Sequence, residues 1–317
     1  MENDLNKGVV LKSTGSWYQV RNEKGQTIQC RVKGKLRLKD IRSTNPVAVG
    51  DKVFFSLEED GNGIIEKIGN RENYIIRRST NLSKETHIIA ANIDQAFLIV
   101  TLQEPFTTTG FIDRFLVTAA AYHIPTVILF NKLDVYDDKA DGRLVEYLET
   151  YNDAGYECIQ MSALKKKGLE KVIERMKDKT TLLSGHSGVG KTTFINAIQP
   201  GLDLKTSEVS QLYKQGKHTT TFAEMFPLAM GGFIIDTPGI RSFGVYDIEK
   251  KEISHYFPEM LELIDQCKFS DCMHISEPQC AVRQAFERNE IPFTRYKNYL
   301  EICNDDKGPY RVDIYAE

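Results

Sequence analysis

The chain has 317 residues, of which 41% are hydrophobic and 27% are charged, a balance typical of globular proteins and not of disordered or fibrous ones. The formal net charge is −3, which gives no bulk electrostatic attraction to nucleic acid or to membranes. The acidic, polar residues 1–4 argue against a secretory signal peptide, and no stretch approaches the ~18 apolar residues of a membrane helix. We expect a cytoplasmic monomer with no membrane partner and about two or three domains.

The N-terminal part of the chain, up to about residue 72, reads as short strands separated by turns. A Ser-Thr-Gly-Ser segment and a hairpin signal at Gly25 separate the first three strands, and Gly61-Asn62-Gly63 separates the last two. Because no helical stretch interrupts them, the pattern favours a small β-barrel, with the oligonucleotide-binding (OB) type as the leading interpretation. The expected strands are 9–11, 17–20, 27–32, 53–55 and 64–68.

From about Tyr74 the pattern changes to alternating strands and helices. The alternation continues to about Ser242 and predicts a parallel sheet covered by helices. After Tyr246 the chain reads as helical and carries several cysteines. The expected strands are 94–100, 125–130, 158–161 and 181–183, and the expected helices lie around 111–122, 144–148 and 194–198.

Residues 185–192, Gly-His-Ser-Gly-Val-Gly-Lys-Thr, match the phosphate-loop pattern G-x-x-x-x-G-K-[ST] between a predicted strand and a predicted helix. The glycines let backbone N–H groups surround phosphates, and the helix N-terminus adds partial positive charge. Lys191 should reach the β- and γ-phosphates and Thr192 should coordinate Mg²⁺, and we assign both a catalytic role. A glycine-rich turn without a ligand is the alternative, but the strand-to-helix context argues against it.

Downstream, an apolar strand that is predicted to begin at Gly231-Gly232 ends in the sequence Asp236-Thr237-Pro238-Gly239. Asp236 is placed to hold Mg²⁺ through water, and the Gly239 N–H is placed to meet the γ-phosphate. The alternative is a plain turn. The phosphate loop upstream favours the nucleotide interpretation.

Two segments that follow predicted strands fit recognition of guanine. In Asn131-Lys132-Leu133-Asp134 the Asp134 carboxylate can accept hydrogen bonds from N1–H and the 2-amino group of guanine, neither of which adenine offers. Asn131 would contact the purine edge, and the lysine stem would cover one face of the ring. The Ala163 N–H would donate to guanine O6. Either segment alone is weak evidence, because Asn and Asp are common turn residues after strands. Together with the phosphate loop, the two segments predict a guanine-nucleotide site.

Four residues near the C-terminus have the composition of a metal site: Cys267, Cys272, His274 and Cys280. A Cys₃His set is a closed structural zinc site, because four protein ligands leave no position for water. The spacing differs from that of ordinary zinc fingers, so free buried cysteines are the alternative. Cys303 lies outside the set and reads as a packed thiol. We expect zinc removal to unfold this segment, on the premise that the ligands have no other core to hold them.

The guanine-reading segments precede the phosphate loop, which reverses the order in ordinary GTPases. Since strand position fixes the ligand-binding edge of a doubly wound sheet, a circularly permuted domain can form the same pocket. With these motifs and the cysteine pattern, the sequence resembles the ribosome small-subunit-dependent GTPase A family (RsgA, also called YjeQ or YloQ), bacterial ribosome-assembly GTPases. The resemblance covers nearly the whole chain. It implies an α/β fold with a circularly permuted P-loop GTPase domain, flanked by an N-terminal OB-fold β-barrel and a C-terminal helical zinc-binding domain, and the zinc spacing matches the family pattern.

Ile240 stands where many GTPases place a glutamine that orients the attacking water. An aliphatic side chain cannot orient water, so another group must replace it. His218 lies where the first switch loop should be, and the resemblance implies that this histidine acts in place of the glutamine. A surface-loop histidine without a chemical role is the alternative. One of Thr219, Thr220 and Thr221 should bind Mg²⁺ in the GTP state, and Thr220 is assigned that role.

A basic run follows the third predicted strand of the barrel. Residues 31–42 carry a net charge of +5 in a chain of −3. On an OB-type barrel this favours contact with an RNA backbone, although a solvated strand or loop is the alternative. Residues 288–297 are a second candidate, and the resemblance implies that barrel and zinc domains both engage the small subunit near its decoding region. If the run is extended, period 2 places five cations on one face: Arg31, Lys33, Lys35, Arg37 and Lys39.

We divide the chain into an OB-fold RNA-binding barrel at 1–72, a circularly permuted GTPase domain at 73–245 and a zinc-binding helical domain at 246–317. The predicted function is GTP hydrolysis in late maturation of the small (30S) ribosomal subunit, whose 16S rRNA is the partner; GTP promotes binding and hydrolysis promotes release. The predicted cofactors are one structural Zn²⁺ and Mg²⁺ with GTP. The alternatives are an RNA-binding scaffold with a structural nucleotide and a GTPase acting on tRNA or at a membrane. The predicted nucleotide-binding residues are Asn131, Lys132, Leu133, Asp134, Ser162, Ala163, Gly185, His186, Ser187, Gly188, Val189, Gly190, Lys191, Thr192, Thr193, Asp236 and Gly239.

Overall fold

The computed structural model describes residues 5–34, 46–78, 86–202, 223–236 and 248–305. The chain forms two compact units, each of which gathers segments that are distant in sequence. The first comprises Met1–Gln95, Glu174–Leu183 and Ser207–Gly239, and the second comprises Ala96–Ile173, Ser184–Thr206 and Ile240–Glu317.

The described residues form the following strands and helices, in chain order. The strands are β1 Asn6–Ser13, β2 Tyr18–Asn22, β3 Thr27–Val32, β4 Lys52–Leu57, β5 Gly63–Ile68, β6 Tyr74–Arg78, β7 Thr86–Ala91, β8 Gln95–Val100, β9 Thr126–Phe130, β10 Glu157–Gln160, β11 Thr180–Ser184, β12 Glu224–Pro227 and β13 Phe233–Asp236. The helices are α1 Thr109–Ala121, α2 Asp138–Asp153, α3 Leu169–Met176, α4 Lys191–Ile198, α5 Pro258–Leu261, α6 Ala281–Glu287 and α7 Phe293–Cys303.

In the first unit, five strands form the predicted barrel. They lie in the order β1-β2-β3-β5-β4, and β1 also pairs with β4, which closes the barrel. Side chains along each strand alternate between the inside and the outside of this closed barrel. On β3, Cys30 and Val32 are buried while Gln29 and Arg31 are exposed. The prediction of a small OB-type barrel is confirmed. Its interior is filled by Val10, Tyr18, Val20, Cys30, Val32, Val47, Val53, Phe55 and Ile65.

The remaining strands of the first unit correct the expectation of a purely parallel arrangement. β13 runs parallel to β11 but antiparallel to β12. The antiparallel pairing arises because Gly231 and Gly232, expected to belong to the strand, form a tight turn instead, with φ values of +88° and +72°. β12 in turn meets β1, where Lys12 and Glu224 form an ion pair of 3.0 Å. The hairpin of β6 and β7 was not predicted, because neither strand alternates between apolar and polar residues.

In the second unit, three strands run parallel in the order β10-β9-β8. All six residues of β8 are buried, as expected for a strand covered on both faces. Helices α1 and α2 connect these strands, and each begins at a side-chain cap: Thr108 accepts from the Phe111 N–H, and Asp137 accepts from the Ala140 N–H. The predicted alternation of strand and helix is therefore present here.

The C-terminal part of the second unit has its own hydrophobic cluster, which α1 joins through Val117. Buried side chains from α5, α6 and α7 pack in it together with two of the candidate zinc ligands, Cys272 and Cys280. Cys303 is also buried there, in agreement with its interpretation as a packed thiol. The premise that the zinc ligands have no other core is therefore wrong. Loss of zinc should disturb the ligand loop more than the helices.

A buried ionic cluster fastens α7 to α1. Arg295 Nη1 lies 2.6 Å from Asp113 Oδ1, and its Nε and Nη2 donate to the Glu259 carboxylate at 2.6 and 3.0 Å. Asn298 and Tyr151 donate to Asp113 at 2.6 and 3.0 Å. Although burial by itself lowers the pKa of Arg295, the two carboxylates raise it well above its usual value, so the guanidinium stays charged.

This cluster corrects the second RNA candidate. Arg295 is 1% exposed and its charge is fully engaged, so it cannot contact an external phosphate. Within the same segment, the exposed Arg288 is paired with Glu290 at 2.7 Å. Arg295 is therefore removed from this candidate. Arg288 and Lys297 are exposed, each in a surface ion pair, so contact of the rest of the segment with RNA stays a prediction.

Candidate nucleotide site and metal centre

The phosphate loop lies between β11 and α4, as predicted. Gly185 has a φ of +144°, and a Cβ there would lie 2.4 Å from the Ile99 carbonyl oxygen, so only glycine fits. Lys191 Nζ donates to the carbonyl oxygens of Gly185 and His186 at 2.5 and 2.6 Å, which wraps the loop around the ammonium group. No side chain caps the N-terminus of α4, whose first N–H groups are the donors that phosphate oxygens use.

Asn131 joins the three nucleotide motifs of the second unit. Its side chain is 2% exposed. Its Nδ2 donates to the Val189 carbonyl oxygen in the phosphate loop at 2.8 Å, across 58 residues of sequence. Its Oδ1 accepts from the Ala163 N–H at 2.9 Å. One amide therefore holds the two guanine-reading segments and the phosphate loop in contact, although they are written in permuted order.

This arrangement also shows what Asn131 and Ala163 bind in the structure. Both polar atoms of the Asn131 amide are used within the protein, and the Ala163 N–H, predicted to donate to guanine O6, donates to Asn131. Contact of these two groups with the purine stays a prediction. Gly190 completes the junction, because a Cβ there would lie 2.6 Å from Asn131 Nδ2.

The Asp134 carboxylate stands at an exposed position beside the junction. Asp134 lies in a 3₁₀ turn, Leu133–Val135, and accepts from the Ser162 hydroxyl at 2.5 Å. The turn is set by Lys132, whose φ is +67° and whose Nζ donates to the Glu104 carbonyl oxygen at 2.5 Å. An exposed carboxylate aligned by a hydroxyl can accept hydrogen bonds from a ligand, which is the chemistry that guanine recognition needs.

His186 of the phosphate loop packs against α1. Its ring lies 3.7 Å from the ring of Phe111, centroid to centroid, with 30° between the planes. Burial, with a smaller contribution from Lys191, lowers the pKa of His186 to about 4. The imidazole is therefore neutral at physiological pH. Its contact with α1 was not predicted, because Phe111 reads from sequence only as an apolar helix residue.

Other predicted residues fall at the edges of what the structure describes. Asp236 is the last residue of β13 and its register partner on β11 is Leu183, two residues before Gly185. Thr192 and Thr193 lie in the first turn of α4, and Ser187 and Gly188 are exposed in the phosphate loop. His218, Thr220, Gly239 and Ile240 lie outside the described residues, and their roles stay predictions.

The four predicted metal ligands come together in the second unit. The ligand atoms of Cys267, Cys272, His274 and Cys280 all lie within 4.8 Å of one another. His274 Nδ1 is 3.5 Å from Cys267 Sγ and 3.3 Å from Cys280 Sγ, and the two sulfurs are 3.9 Å apart. A tetrahedral Zn²⁺ with Zn–S and Zn–N distances of ~2.3 and ~2.0 Å needs edges of ~3.8 and ~3.6 Å. The donor set and its spacing therefore fit zinc.

The loop that carries these ligands is built by backbone hydrogen bonds. The Glu277 carboxylate accepts from the N–H groups of Met273, Ile275 and Ser276 at 2.8 to 2.9 Å. Partial burial raises the pKa of Glu277, but these donors outweigh it and hold the pKa below its usual value. Tyr296 of α7 donates to the His274 carbonyl oxygen at 2.7 Å, which ties the backbone of the ligand loop to α7.

The barrel cations behave differently from one another. The strand β3 ends at Val32, and the Lys33 N–H still donates to the Ile65 carbonyl oxygen of β5 at 3.1 Å. Whether the run continues as an extended segment stays a prediction. Lys33 forms an ion pair of 2.5 Å with Glu66. Arg31 lies over the ring of Trp17, with its Cζ 4.0 Å from the centroid. Lys35, Arg37 and Lys39 lie outside the described residues.

Comparison with known proteins agrees with this geometry. Residues 68–246 match the family model described as RsgA GTPase, and residues 7–65 match the one described as RsgA N-terminal domain. The chain belongs to the RsgA GTPase family. Its relatives include the small ribosomal subunit biogenesis GTPase RsgA of Christiangramia forsetii, which is 56% identical over 98% of this chain and 100% of its own length.

Two solved structures of RsgA relatives share the fold. YjeQ from Thermotoga maritima is 36% identical, with a TM-score of 0.78 over 94% of this chain and 97% of the other. YloQ, described as a circularly permuted GTPase, is 32% identical, with a TM-score of 0.76 over 97% of each chain. The predicted family and the predicted fold class, a permuted GTPase with an OB-type barrel and a C-terminal cysteine cluster, are confirmed.

None of the helices in the described part of the chain combines the length and the apolar character needed to cross a membrane.

Proposed function

We propose that this RsgA-family chain is a GTPase that acts in biogenesis of the small ribosomal subunit. The observation that carries the proposal is the Asn131 junction, which brings the guanine-reading segments and the phosphate loop into contact. The name of the Christiangramia forsetii relative, a small ribosomal subunit biogenesis GTPase, supports the biological role. The chain binds GTP and hydrolyses it to GDP and phosphate.

In the proposed site, each motif has one task. Asp134 accepts from guanine N1–H and the 2-amino group, and Lys132 covers the ring. Ala163 donates to O6 once nucleotide is bound, and its N–H then leaves the Asn131 oxygen to which it donates in the structure. The phosphate loop and Lys191 hold the β- and γ-phosphates. Mg²⁺ supplies charge neutralisation on the phosphate oxygens, and Thr192, Asp236 and Thr220 are the residues that would hold it.

Hydrolysis is assigned to His218, because the aliphatic Ile240 follows the Asp236 strand where a glutamine would orient water. His218→Ala should lower ribosome-stimulated turnover at least ~10-fold while the affinity for GTP stays nearly the same, since the nucleotide contacts lie elsewhere. Single-turnover kinetics and nucleotide titration measure the two effects. Unaltered stimulated turnover would remove His218 from the mechanism.

The Cys₃His cluster holds one structural Zn²⁺, and its spacing within 4.8 Å supports this assignment. The chain works as three parts: the barrel at 1–72, the permuted GTPase at 73–245 and the zinc-binding part at 246–317. The barrel and the zinc-binding part grip the 30S subunit and its 16S rRNA in the GTP state. Hydrolysis then releases the protein, which acts as a monomer in the cytoplasm.

The proposal is tested by GTP turnover of the full chain alone and with 30S, 50S or 70S particles. We expect 30S particles to stimulate turnover most, and Lys191→Ala to abolish it because the phosphate charge then lacks its cation. Tight 30S binding with no turnover would favour the alternative of an RNA-binding scaffold. Absence of any response to 30S particles, or equal hydrolysis of ATP, would contradict the proposal.

A further inference from the structure

The barrel carries an aromatic residue that the sequence motifs do not explain. Trp17 is the one tryptophan of the chain, and it lies in the loop between β1 and β2. The loop is held by its own hydrogen bonds, since the Thr14 N–H and hydroxyl both donate to the Trp17 carbonyl oxygen, at 2.9 and 3.1 Å. Trp17 is only half-buried although indole is a large apolar group. Its position is therefore fixed while part of its ring stays accessible.

A guanidinium group lies on this ring. Arg31, on the outer face of β3, has its Cζ 4.0 Å from the Trp17 ring centroid, and Arg31 itself is exposed. The planar guanidinium and the indole thus form a short stack at the surface of the barrel. The attraction between the cation and the ring accounts for the contact, but it does not account for where on the barrel the pair lies.

Trp17 and Arg31 lie on the part of an OB-type barrel that binds oligonucleotides. That surface consists of strands β2 and β3 with the β1–β2 and β4–β5 loops. Trp17 comes from the first of these loops and Arg31 from β3. Arg31 is the register partner of Ile64, the second residue of β5, so the end of the β4–β5 loop runs beside it. The Trp17–Arg31 pair, the strand β3 and the end of the β4–β5 loop therefore lie on one surface of the barrel.

The neighbouring charges favour a polyanion that also has flat apolar groups. Lys33 is already paired with Glu66, at 2.5 Å. The guanidinium of Arg31 instead offers a planar cation beside an aromatic ring, and the Asp60 carboxylate of the β4–β5 loop also interacts with it electrostatically. The sequence that follows β3 is strongly basic, with a net charge of +4 over residues 33–42. Bases stack on aromatic rings and on arginine planes, while basic residues contact phosphates.

We propose that Trp17 and Arg31 form a stacking platform for an unpaired base of single-stranded RNA. The inference deepens the proposed function, since it names the chemistry by which the barrel would recognise rRNA. It assigns the platform to an unpaired segment rather than to a duplex, because the bases of a duplex are not free to stack on a side chain.

The test uses the full chain and an unstructured decauridylate RNA. Because Trp17 is the one tryptophan among 14 tyrosines, fluorescence excited selectively at the red edge of tryptophan absorption reports on this site. We expect decauridylate to quench it. Stacking is worth ~1–3 kcal/mol per base, so Trp17→Ala should weaken binding ~5- to 150-fold, measured with labelled RNA, and Trp17→Phe should retain most of the affinity. Arg31→Ala should weaken binding more than Lys24→Ala, which removes an exposed cation from the β2–β3 turn of the same barrel.

Three outcomes would overturn the inference. The first is decauridylate binding without a change in tryptophan fluorescence. The second is equal RNA affinity of Trp17→Ala and the wild type, with melting temperatures showing that both are folded. The third is weaker binding of 30S particles by Trp17→Ala with no decauridylate binding by the wild type, which would indicate a ribosomal protein as the partner. In each case, stimulation of wild-type GTP turnover by 30S particles reports separately on the proposed function.

Discussion

The two ligand centres of the second unit differ in how far the protein closes them. At the Cys₃His cluster three of the four candidate ligand residues are buried, and the four donors would complete the tetrahedron of a zinc ion. At the nucleotide site the organising residue, Asn131, is buried, but Asp134, Ser187 and Gly188 are exposed. A closed centre suits a permanent structural ion. An open centre, with a buried junction and an exposed rim, suits a ligand that is bound, hydrolysed and released.

The largest effect should follow removal of zinc. Structural zinc sites carry apparent binding free energies of ~10 kcal/mol or more, so the ion should survive dialysis that removes nucleotide, and a strong chelator should be needed. Because the helices share a hydrophobic cluster of their own, chelation should disorder the ligand loop before α6 and α7.

Metal analysis before and after dialysis, followed by hydrogen exchange on the chelated protein, measures this. Cys158→Ser, which changes a cysteine outside the cluster, is the matched control and should keep stoichiometric zinc. Purified protein without zinc, or zinc that exchanges as fast as nucleotide, would break the contrast between the two centres.

The next effect concerns the ionic cluster that holds the zinc-bearing part against α1. Arg295→Ala leaves Asp113 and Glu259 buried without their cation, and breaking such a pair costs about 3–5 kcal/mol of unfolding free energy. The matched control is Arg288→Ala, which removes an exposed bidentate pair with Glu290 and should leave the free energy of unfolding nearly unchanged, because solvent screens exposed pairs. Chemical denaturation of both variants measures the two losses of unfolding free energy. Equal losses would show that the burial of Arg295 does not matter energetically.

A smaller effect is expected at the nucleotide junction. Asn131→Ala leaves the Ala163 N–H and the Val189 carbonyl without their partner, at a cost of about 1–3 kcal/mol. If this cost falls on the arrangement that binds nucleotide, the affinity for GDP decreases by ~5- to 150-fold. Asn152→Ala, at an exposed position of α2, is the control and should bind GDP as the wild type does. Calorimetric titration compares them. An unchanged affinity in Asn131→Ala would mean that the junction does not organise the site.

The smallest effect is a pH dependence of the nucleotide-free protein. The pKa of His186 is lowered to about 4 in the folded chain, below its ordinary 6.5. The unfolded chain therefore binds more protons between these values, and stability present above pH 6.5 is lost as the pH falls toward 4. Allowing for partial exposure, the loss at pH 5 should be about 1 kcal/mol. We expect denaturation curves of His186→Gln to lack this loss of unfolding free energy, whereas those of the control His255→Gln should keep it. If the unfolding free energies of the wild type and His186→Gln change in parallel with pH, the assignment is wrong.

The sequence patterns predicted what depends on neighbours in the chain. The phosphate loop, residues 131–134 and 162–164, the Cys₃His cluster and most strands could be located from sequence because each is a short, local pattern. The junction could not be predicted in the same way, because Asn131 meets Val189 across 58 residues, and only the fold shows that both amide atoms are used inside the protein.

Two further differences have the same origin. Arg295 reads as part of a basic helix, and its burial depends on Asp113, which is 182 residues away. Gly231 and Gly232 read as the start of an apolar strand, yet their positive φ values turn the chain and make β12 antiparallel to β13. In both cases tertiary contacts override a local pattern.

The central claim is that segments in permuted order form one guanine site, and Asp134→Asn tests it most directly. Guanine carries an amino group at C2 and xanthine carries an oxygen, so an amide in place of the carboxylate should lose GTP and gain XTP. Competition binding should show GTP weakened at least ~100-fold and XTP strengthened by a similar factor, since hydrogen bonds to a charged group are worth ~1.5–3 kcal/mol each. Unchanged GTP affinity, or tight binding of ATP by the wild type, would contradict the account.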